Sequence, residues 1–444
     1  MVLAGHFERG REGKKAGVYY LHAAEQASLA GDVSAAEARA HLGLACGGAT
    51  EVRASLLGLL CEVSYFDPRK VIAALPFAEE VMRLAQRCSV PWARGAASKI
   101  VGALRGGKID DLLETLQTFR EIVPAPDAVN ALVLAATTGV FVLDVLGRIE
   151  ESNQVMDLIE RFCEVIDPVQ EQRSIAAAHW RVNAAVRDAY AKEDPWSSLE
   201  HARAALRICE EIHHTVLLTF ARGCHGMCLW YLGAMAEAEQ VLGEGTPRDE
   251  ELGTIASMWL LSLAWLRADR GALDEARRAA QRLIHLGQSR HVPMEESRGH
   301  WALAEVLRRE RDLEGAEREI QAALGTIAMV APVDLPAALS TLCRVRLAQG
   351  RVAEALSTAG EAFGKYKAMD ACGFFHAAFV RLAHAEALEA AGDHAAAHAA
   401  IRVARDRVLA TADRIHDPRY RKSFLEDVPD NARILTLART WLGE

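Results

Sequence analysis

Aromatic residues are scarce, at 6% of 444 positions, and proline occurs only 13 times. A sheet core wants β-branched and aromatic side chains, so this shortage argues against one. Alanine fills much of the 51% hydrophobic share instead, which suits closely packed helices. The nine cysteines are scattered and odd in number, which excludes a disulfide-stapled framework and fits free thiols in a reducing compartment. Basic charge is also short. The 51 Lys and Arg residues face 60 Asp and Glu, for a net charge of −9, the wrong sign for nucleic acid or an anionic membrane. No run of about 18 uncharged apolar residues stands out, so no transmembrane helix is expected. The opening Met1–His6 lacks a basic-then-apolar signal, and a cytoplasmic location is expected. Charged residues make up 25%, too mixed with apolar ones for a disordered tail. The length suits two or three domains, or one extended array of small ones.

What is present is a rhythm. A turn-forming residue is followed two positions later by an apolar residue and five later by alanine. It reads Gly31-x-Val33-x-x-Ala36, Gly233-x-Met235-x-x-Ala238, Gly271-x-Leu273-x-x-Ala276 and Arg311-x-Leu313-x-x-Ala316. It continues as Gly350-x-Val352-x-x-Ala355 and, with His394 in the apolar place, as Gly392-x-His394-x-x-Ala397. Gly147-x-Ile149-x-x-Ser152 is a near match, and weaker turns lie near Lys70, Gly107 and Ser197. The last four anchors, at 271, 311, 350 and 392, are 40, 39 and 42 residues apart.

This is the pattern of a helical hairpin. Glycine ends one helix because it tolerates left-handed backbone. The alanine is small because two helices cross there. The residue seven before each anchor is small too: Ala24, Gly226, Ala264, Ala304, Cys343 and Ala385. Between anchors, apolar residues recur at three and four, as in Ala276–Ile284. Prolines 91, 124, 126, 168, 195, 247, 293 and 332 fall between the expected helices. Val140–Leu143 is the best strand candidate, but its place seven residues before Gly147 predicts a helix.

The periodicity resembles the tetratricopeptide repeat, in a longer form of about 40 residues. The likeness covers nearly the whole chain and is strongest from 220 to 400. The opening, His6-Phe7-Glu8-Arg9 with Ala16, Tyr19–Leu21 and Ala23–Glu25, and the close, Phe424–Arg433, are more particular. Together they resemble the carboxy-terminal repeat region of large bacterial signalling proteins. Those carry a serine/threonine kinase or cyclase, then a signal-transducing ATPase, then tetratricopeptide repeats. The resemblance implies an all-α fold, a tetratricopeptide-like α-solenoid: a right-handed superhelix of antiparallel helix pairs. It also implies that this chain is the repeat portion only, since kinase Gly-rich, HRD and DFG motifs are absent. The expected organisation is an incomplete N-terminal repeat over 1–30, divergent repeats over 31–215, regular repeats over 216–412 and capping helices over 413–444.

Chemistry-bearing motifs are weak. Gly102–Ile109 nearly matches a phosphate-binding loop, but Ile109 stands where a hydroxyl is needed, and Val140–Asp144 only mimics a Walker B strand. Cys209, His213, Cys224, His225 and Cys228 have one-turn spacings that zinc accepts, though buried cysteine is a common core residue. His394 and His398 lack the Glu of a metalloprotease helix. Seven basic residues between 402 and 422 read as a solvated terminal helix. Neither a catalytic residue, a cofactor site nor a resident metal is expected.

In the repeat fold that the resemblance implies, the first helix of each pair lines a concave groove. Carried onto these anchors, the candidate groove residues are Phe220, Met227, Trp230, Met258, Leu261, Trp265, Asp269, Arg298, Trp301, Glu305, Arg308 and Arg344, with Phe379 and Glu386 beyond. Trp230, Trp265 and Trp301 recur once per repeat and either line the groove or pack between repeats. The expected function is a non-enzymatic interaction and sensor module. Its expected partner is a protein or peptide, which includes another domain of a parent chain, and not nucleic acid or membrane. The alternative is a small-molecule sensor of the kind found in transcription-activator-like ATPases.

Overall fold

A computed structural model describes residues 2–29, 32–65, 67, 70–105, 108–122, 126–163, 174–249, 255–369 and 377–443. Among them every regular element is helical. Gly31, Gly106, Gly107, Pro124 and Pro168 lie outside the described residues. The chain divides into two compact units.

The first unit holds Met1–Leu143, Glu150–Asn183 and Ala205–Leu218. Its helices begin with α1 (Val2–Arg9), α2 (Gly13–Leu29), α3 (Val33–Ala45), α4 (Thr50–Tyr65), α5 (Leu75–Leu84), α6 (Val90–Arg105) and α7 (Ile109–Gln117). They continue through α8 (Val129–Val145), α9 (Ile149–Cys163) and most of α10 (Ile175–Tyr190). Its core is built from small residues against leucines: Ala24, Ala36 and Ala40 meet Leu56, Leu59 and Leu60. The phosphate-loop and Walker B mimics fall in helices, Gly102 in α6 and Val140–Asp144 in α8, with Lys108 at the non-helical start of α7. The helix over Pro126–Val145 is long and apolar enough to cross a membrane by length and composition, and 78% of its apolar window is buried inside the protein. Its two-sided burial is why the segment is apolar all round.

The second unit holds Asp144–Ile149, Ala184–Ala204 and Thr219–Glu444. It opens with most of α11 (Pro195–Glu211) and α12 (Thr215–Tyr231), then α13 (Met235–Glu239), which runs into a π-helical turn over Gln240–Glu244. Antiparallel pairs follow: α14 (Ala256–Asp269) with α15 (Leu273–Arg290), and α16 (Pro293–Arg309) with α17 (Leu313–Val330). Next come α18 (Leu335–Ala348) with α19 (Val352–Ala368), and α20 (Ala377–Ala390) with α21 (His394–Asp413). Two helices close the unit, α22 (Pro418–Glu426) and α23 (Pro429–Leu442).

The anchors do what their residue types predict. Gly147, Gly233, Gly271, Gly350 and Gly392 have φ between 71° and 83°, and Arg311 shares the conformation at 71°. After each of five anchors the next amide reaches five residues back: Ala234 to Leu229, Ala272 to Arg267, Asp312 to Leu307, Arg351 to Arg346 and Asp393 to Leu388, at 2.8–3.1 Å. These bonds satisfy carbonyls that a helix end leaves open. Asp312 and Asp393 then cap the second helix, accepting from the amides of Gly315 and Ala396. The crossing alanines, Ala36, Ala238, Ala276, Ala316, Ala355 and Ala397, are all fully buried. Ala24, Ala264, Ala304, Cys343 and Ala385 are buried with them, and a Cβ on Gly226 would lie 2.5 Å from the Leu242 side chain.

Candidate binding groove

The first helices of the second unit, α12, α14, α16, α18 and α20, carry the candidate residues. Trp230 on α12 donates its indole N–H to Asp269 on α14 at 2.8 Å. Asp269 also accepts from Arg309 on α16 at 2.7 Å. Arg309 and Arg308 both donate to Glu305 at 2.6–2.8 Å. The result is a polar ladder that steps from one repeat to the next. Burial works against the Glu305 charge, but Arg308 and Arg309 overcome it and hold the carboxyl well below its ordinary range. At Asp269 burial wins over Arg309 and Trp230, and the carboxyl sits above its ordinary range. Arg344 on α18 lies over the Phe379 ring at 4.1 Å and donates to Asp430 of α23 at 2.7 Å.

Other candidates are set deeper. Trp301 is fully buried and donates to the Thr341 hydroxyl at 3.0 Å. Arg298 is buried against Asp334, 2.7 Å away. Met227 is buried and accepts from the Tyr190 hydroxyl. Leu261 is buried, while Phe220 and Met258 are half-buried. The tryptophans are therefore not equivalent. Trp265 packs edge-on against both Trp301 and Phe379, with centroids 5.6 and 5.7 Å apart.

Trp230 and Trp265 meet at a recess of about 800 Å³ of empty space, open solvent included. Tyr231, Phe379 and Phe424 line it with aromatic surface, Ala189 and Ala378 line it as well, and so do the carboxylates of Asp269, Glu193 and Asp430. These charges are compensated. Glu193 has φ 48°, a left-handed backbone rare for a side-chain-bearing residue. That turn points its carboxylate at Arg381, which binds it in two bonds of 2.8 and 2.9 Å, while Tyr366 donates at 3.0 Å. Burial raises the Glu193 carboxyl, but Arg381, Arg407 and the Tyr366 hydroxyl bring it below its ordinary value.

Sequence reasoning missed the part that α22 plays. Ser423 donates to the Leu232 carbonyl at 2.6 Å. Tyr420 donates to Glu237 at 2.9 Å and accepts from Arg203 at 3.1 Å. Asn431 closes the α22–α23 turn by donating to the Phe424 carbonyl. Leu232, Glu237 and Arg203 lie 183–217 residues from their α22 partners in sequence, and no local pattern marks them.

The remaining motifs resolve structurally. Cys209 and Cys228 have thiols that burial pushes up to about 12, and burial puts Cys224 well above its ordinary value too. Cys228 lies 2.8 Å from the Ser198 hydroxyl and Cys224 is 3.6 Å from the Met258 sulfur. No trio of His, Cys, Asp or Glu stands within metal-holding distance among the described residues. His398 stacks on Trp441. Within the basic stretch, Arg405, Arg407, Arg414, Arg419, Arg421 and Lys422 each face a carboxylate.

No protein-family model and no curated protein matches the chain. Solved structures do. A Rap protein complexed with competence and sporulation factor aligns at 10% identity over 79% of this chain and 99% of its own, with a TM-score of 0.52. A signal transduction ATPase with a tetratricopeptide repeat sensor, from Pyrococcus horikoshii, aligns at 11% identity over 97% of this chain and 53% of its own, with a TM-score of 0.37. The tetratricopeptide domain of P58(IPK) aligns at 13% identity over 95% of this chain and 99% of its own, with a TM-score of 0.27. At such identities the likeness is one of fold, and the fold is a tetratricopeptide-like α-solenoid.

Proposed function

We propose that the chain is a non-enzymatic interaction and sensor module, and that the regular repeats of the second unit take a peptide segment or partner protein along their first helices. The observation that carries this reading is the recess between Trp230, Trp265 and Phe379. Aromatic and aliphatic side chains line it, and the carboxylates among its lining are already matched by Arg309, Arg381 and Arg344. Such a site gains by burying an apolar side chain and loses by burying an extra charge. The polar ladder holds the aromatic walls in place. The flanking resemblance over 6–25 and 424–433 supports a place as the regulatory part of a larger signalling protein.

Peptide display against the purified chain tests this. Selected peptides carry a bulky apolar anchor, and Ala378→Trp, which fills the recess from a half-buried lining position, abolishes their binding while helical circular dichroism is unchanged. Binding that survives the plug sinks the reading. The small-molecule alternative draws support from Phe424, Val428 and Pro429, which wall one side of the recess. A non-peptide compound released on denaturation, and lost in Ala378→Trp, would favour it.

A further inference from the structure

The segment from α22 to the start of α23 is bound like a ligand. It contributes two distinct anchors to the first-helix face. One is Phe424, a wall of the aromatic recess. The other is Asp430, six residues on, whose carboxylate accepts from Arg344 at 2.7 Å. Arg344 keeps only 13% of its side chain exposed. A guanidinium so buried needs a carboxylate partner, and removing it is costly. Within α22 itself only Tyr420 and Phe424 are buried. The contrast with α23 is plain: Ile434, Leu437 and Ala438 anchor that helix through an apolar face.

The fit extends to the backbone. The Ser423 carbonyl lies so close to Gly233 that a Cβ there would be 2.4 Å from its oxygen. Gly271, the equivalent anchor one repeat on, has nearly the same φ, 77° against 75°, and nothing within 4 Å of a Cβ. Gly233 is thus constrained twice, once by its turn and once by the strap that rests on it.

We infer that residues 418–430 are an internal stand-in for the partner, and that the partner is a peptide segment presenting a bulky apolar side chain and, about six residues on, a carboxylate. This rests on the groove reading above and names the class of segment. The outside segment displaces the strap, seats its apolar residue in the recess and gives its carboxylate to Arg344. The rest of α23 stays docked through Ile434, Leu437 and Ala438, so the strap can leave without the repeat stack opening.

The test uses the full chain and, as probe, a labelled peptide of the chain's own residues 420–434, read by fluorescence anisotropy. The double variant Phe424→Ala with Asp430→Ala should bind the probe about tenfold or more tightly than the unaltered chain. Adding Arg344→Gln to that variant should cancel the gain. Gly233→Ala should also gain affinity, and Gly271→Ala, with the same backbone strain, should not. Equal probe binding by the unaltered chain and the double variant, or by the two glycine variants, overturns the inference. Hydrogen exchange on the unaltered protein guards against misfolded variants: amides of 420–427 should exchange ahead of those in 397–412. If they exchange only together, the strap is a fixed cap and the inference falls. Failure of the groove reading is separate, since it would appear as selected peptides that Ala378→Trp does not affect.

Discussion

The stretch from 256 to 413 and the stretch from 50 to 163 bury their helices equally well by different local means. In the later stretch each first helix ends in a left-handed residue at the same place, glycine or Arg311, and a pair of small residues at constant spacing marks the crossing. In the earlier one the described turns vary. Cys88 is left-handed at φ 69°, between α5 and α6, where the regular repeats use glycine or arginine. Leu57, Leu59 and Leu60 are nonetheless as buried as any residue of the later repeats. The lesson is that packing needs small residues at crossings and a chain reversal, whereas a visible repeat needs both at constant spacing.

The largest effects should come from the crossings. Ala276→Phe or Ala316→Phe should cost about 3 kcal/mol or more, as a lower urea midpoint, and Ala54→Phe should cost as much in the irregular stretch. A clear gap between the two would show that the regular stack is the tighter one. Ala399→Phe, on an exposed face, should stay within about 0.5 kcal/mol.

The next effect is a dependence on pH. Burial, with the nearby His214 charge, lowers His179 in the first unit from 6.5 to about 3. The unfolded chain therefore takes up a proton that the folded one refuses. Stability is full above pH 6.5 and falls as pH drops toward 3, by at most about 1.4 kcal/mol per pH unit. His179→Gln should reduce the slope of the urea midpoint between pH 6.5 and 5.5, leaving what His214, His225 and His384, also lowered by burial, contribute; an unchanged slope refutes the assignment.

Smaller still are the turns. Arg311→Gly and Cys88→Gly should each stabilise by about 0.5–1 kcal/mol, since both residues hold left-handed backbone at φ 71° and 69°. Gly350→Ala, at φ 77° with open space around it, should lose about 1 kcal/mol. Gain at Arg311 without gain at Cys88, by thermal midpoint, would mean that the two closures differ in more than sequence.

The anchors and crossings were legible because each is a local demand: left-handed backbone wants glycine, and two backbones in contact want alanine. The aromatic wall was only half legible. Trp230, Trp265 and Trp301 share a spacing, but spacing does not say that Trp301 turns to Thr341 while Trp230 turns to Asp269 beside the recess. Phe424 stood in the stretch that carried the resemblance, but neither it nor Ser423 gave a sign of these contacts, because their partners include residues near 230.

The sequence alone determined the helices, their pairing and their period, since those follow from contacts between residues a few turns apart. The tertiary structure decided which face of the second unit stays open, where the recess forms and what rests in it. Those outcomes depend on side chains about 190 residues apart meeting within 3 Å, as Ser423 meets Leu232, and chain-local preference cannot encode such a meeting.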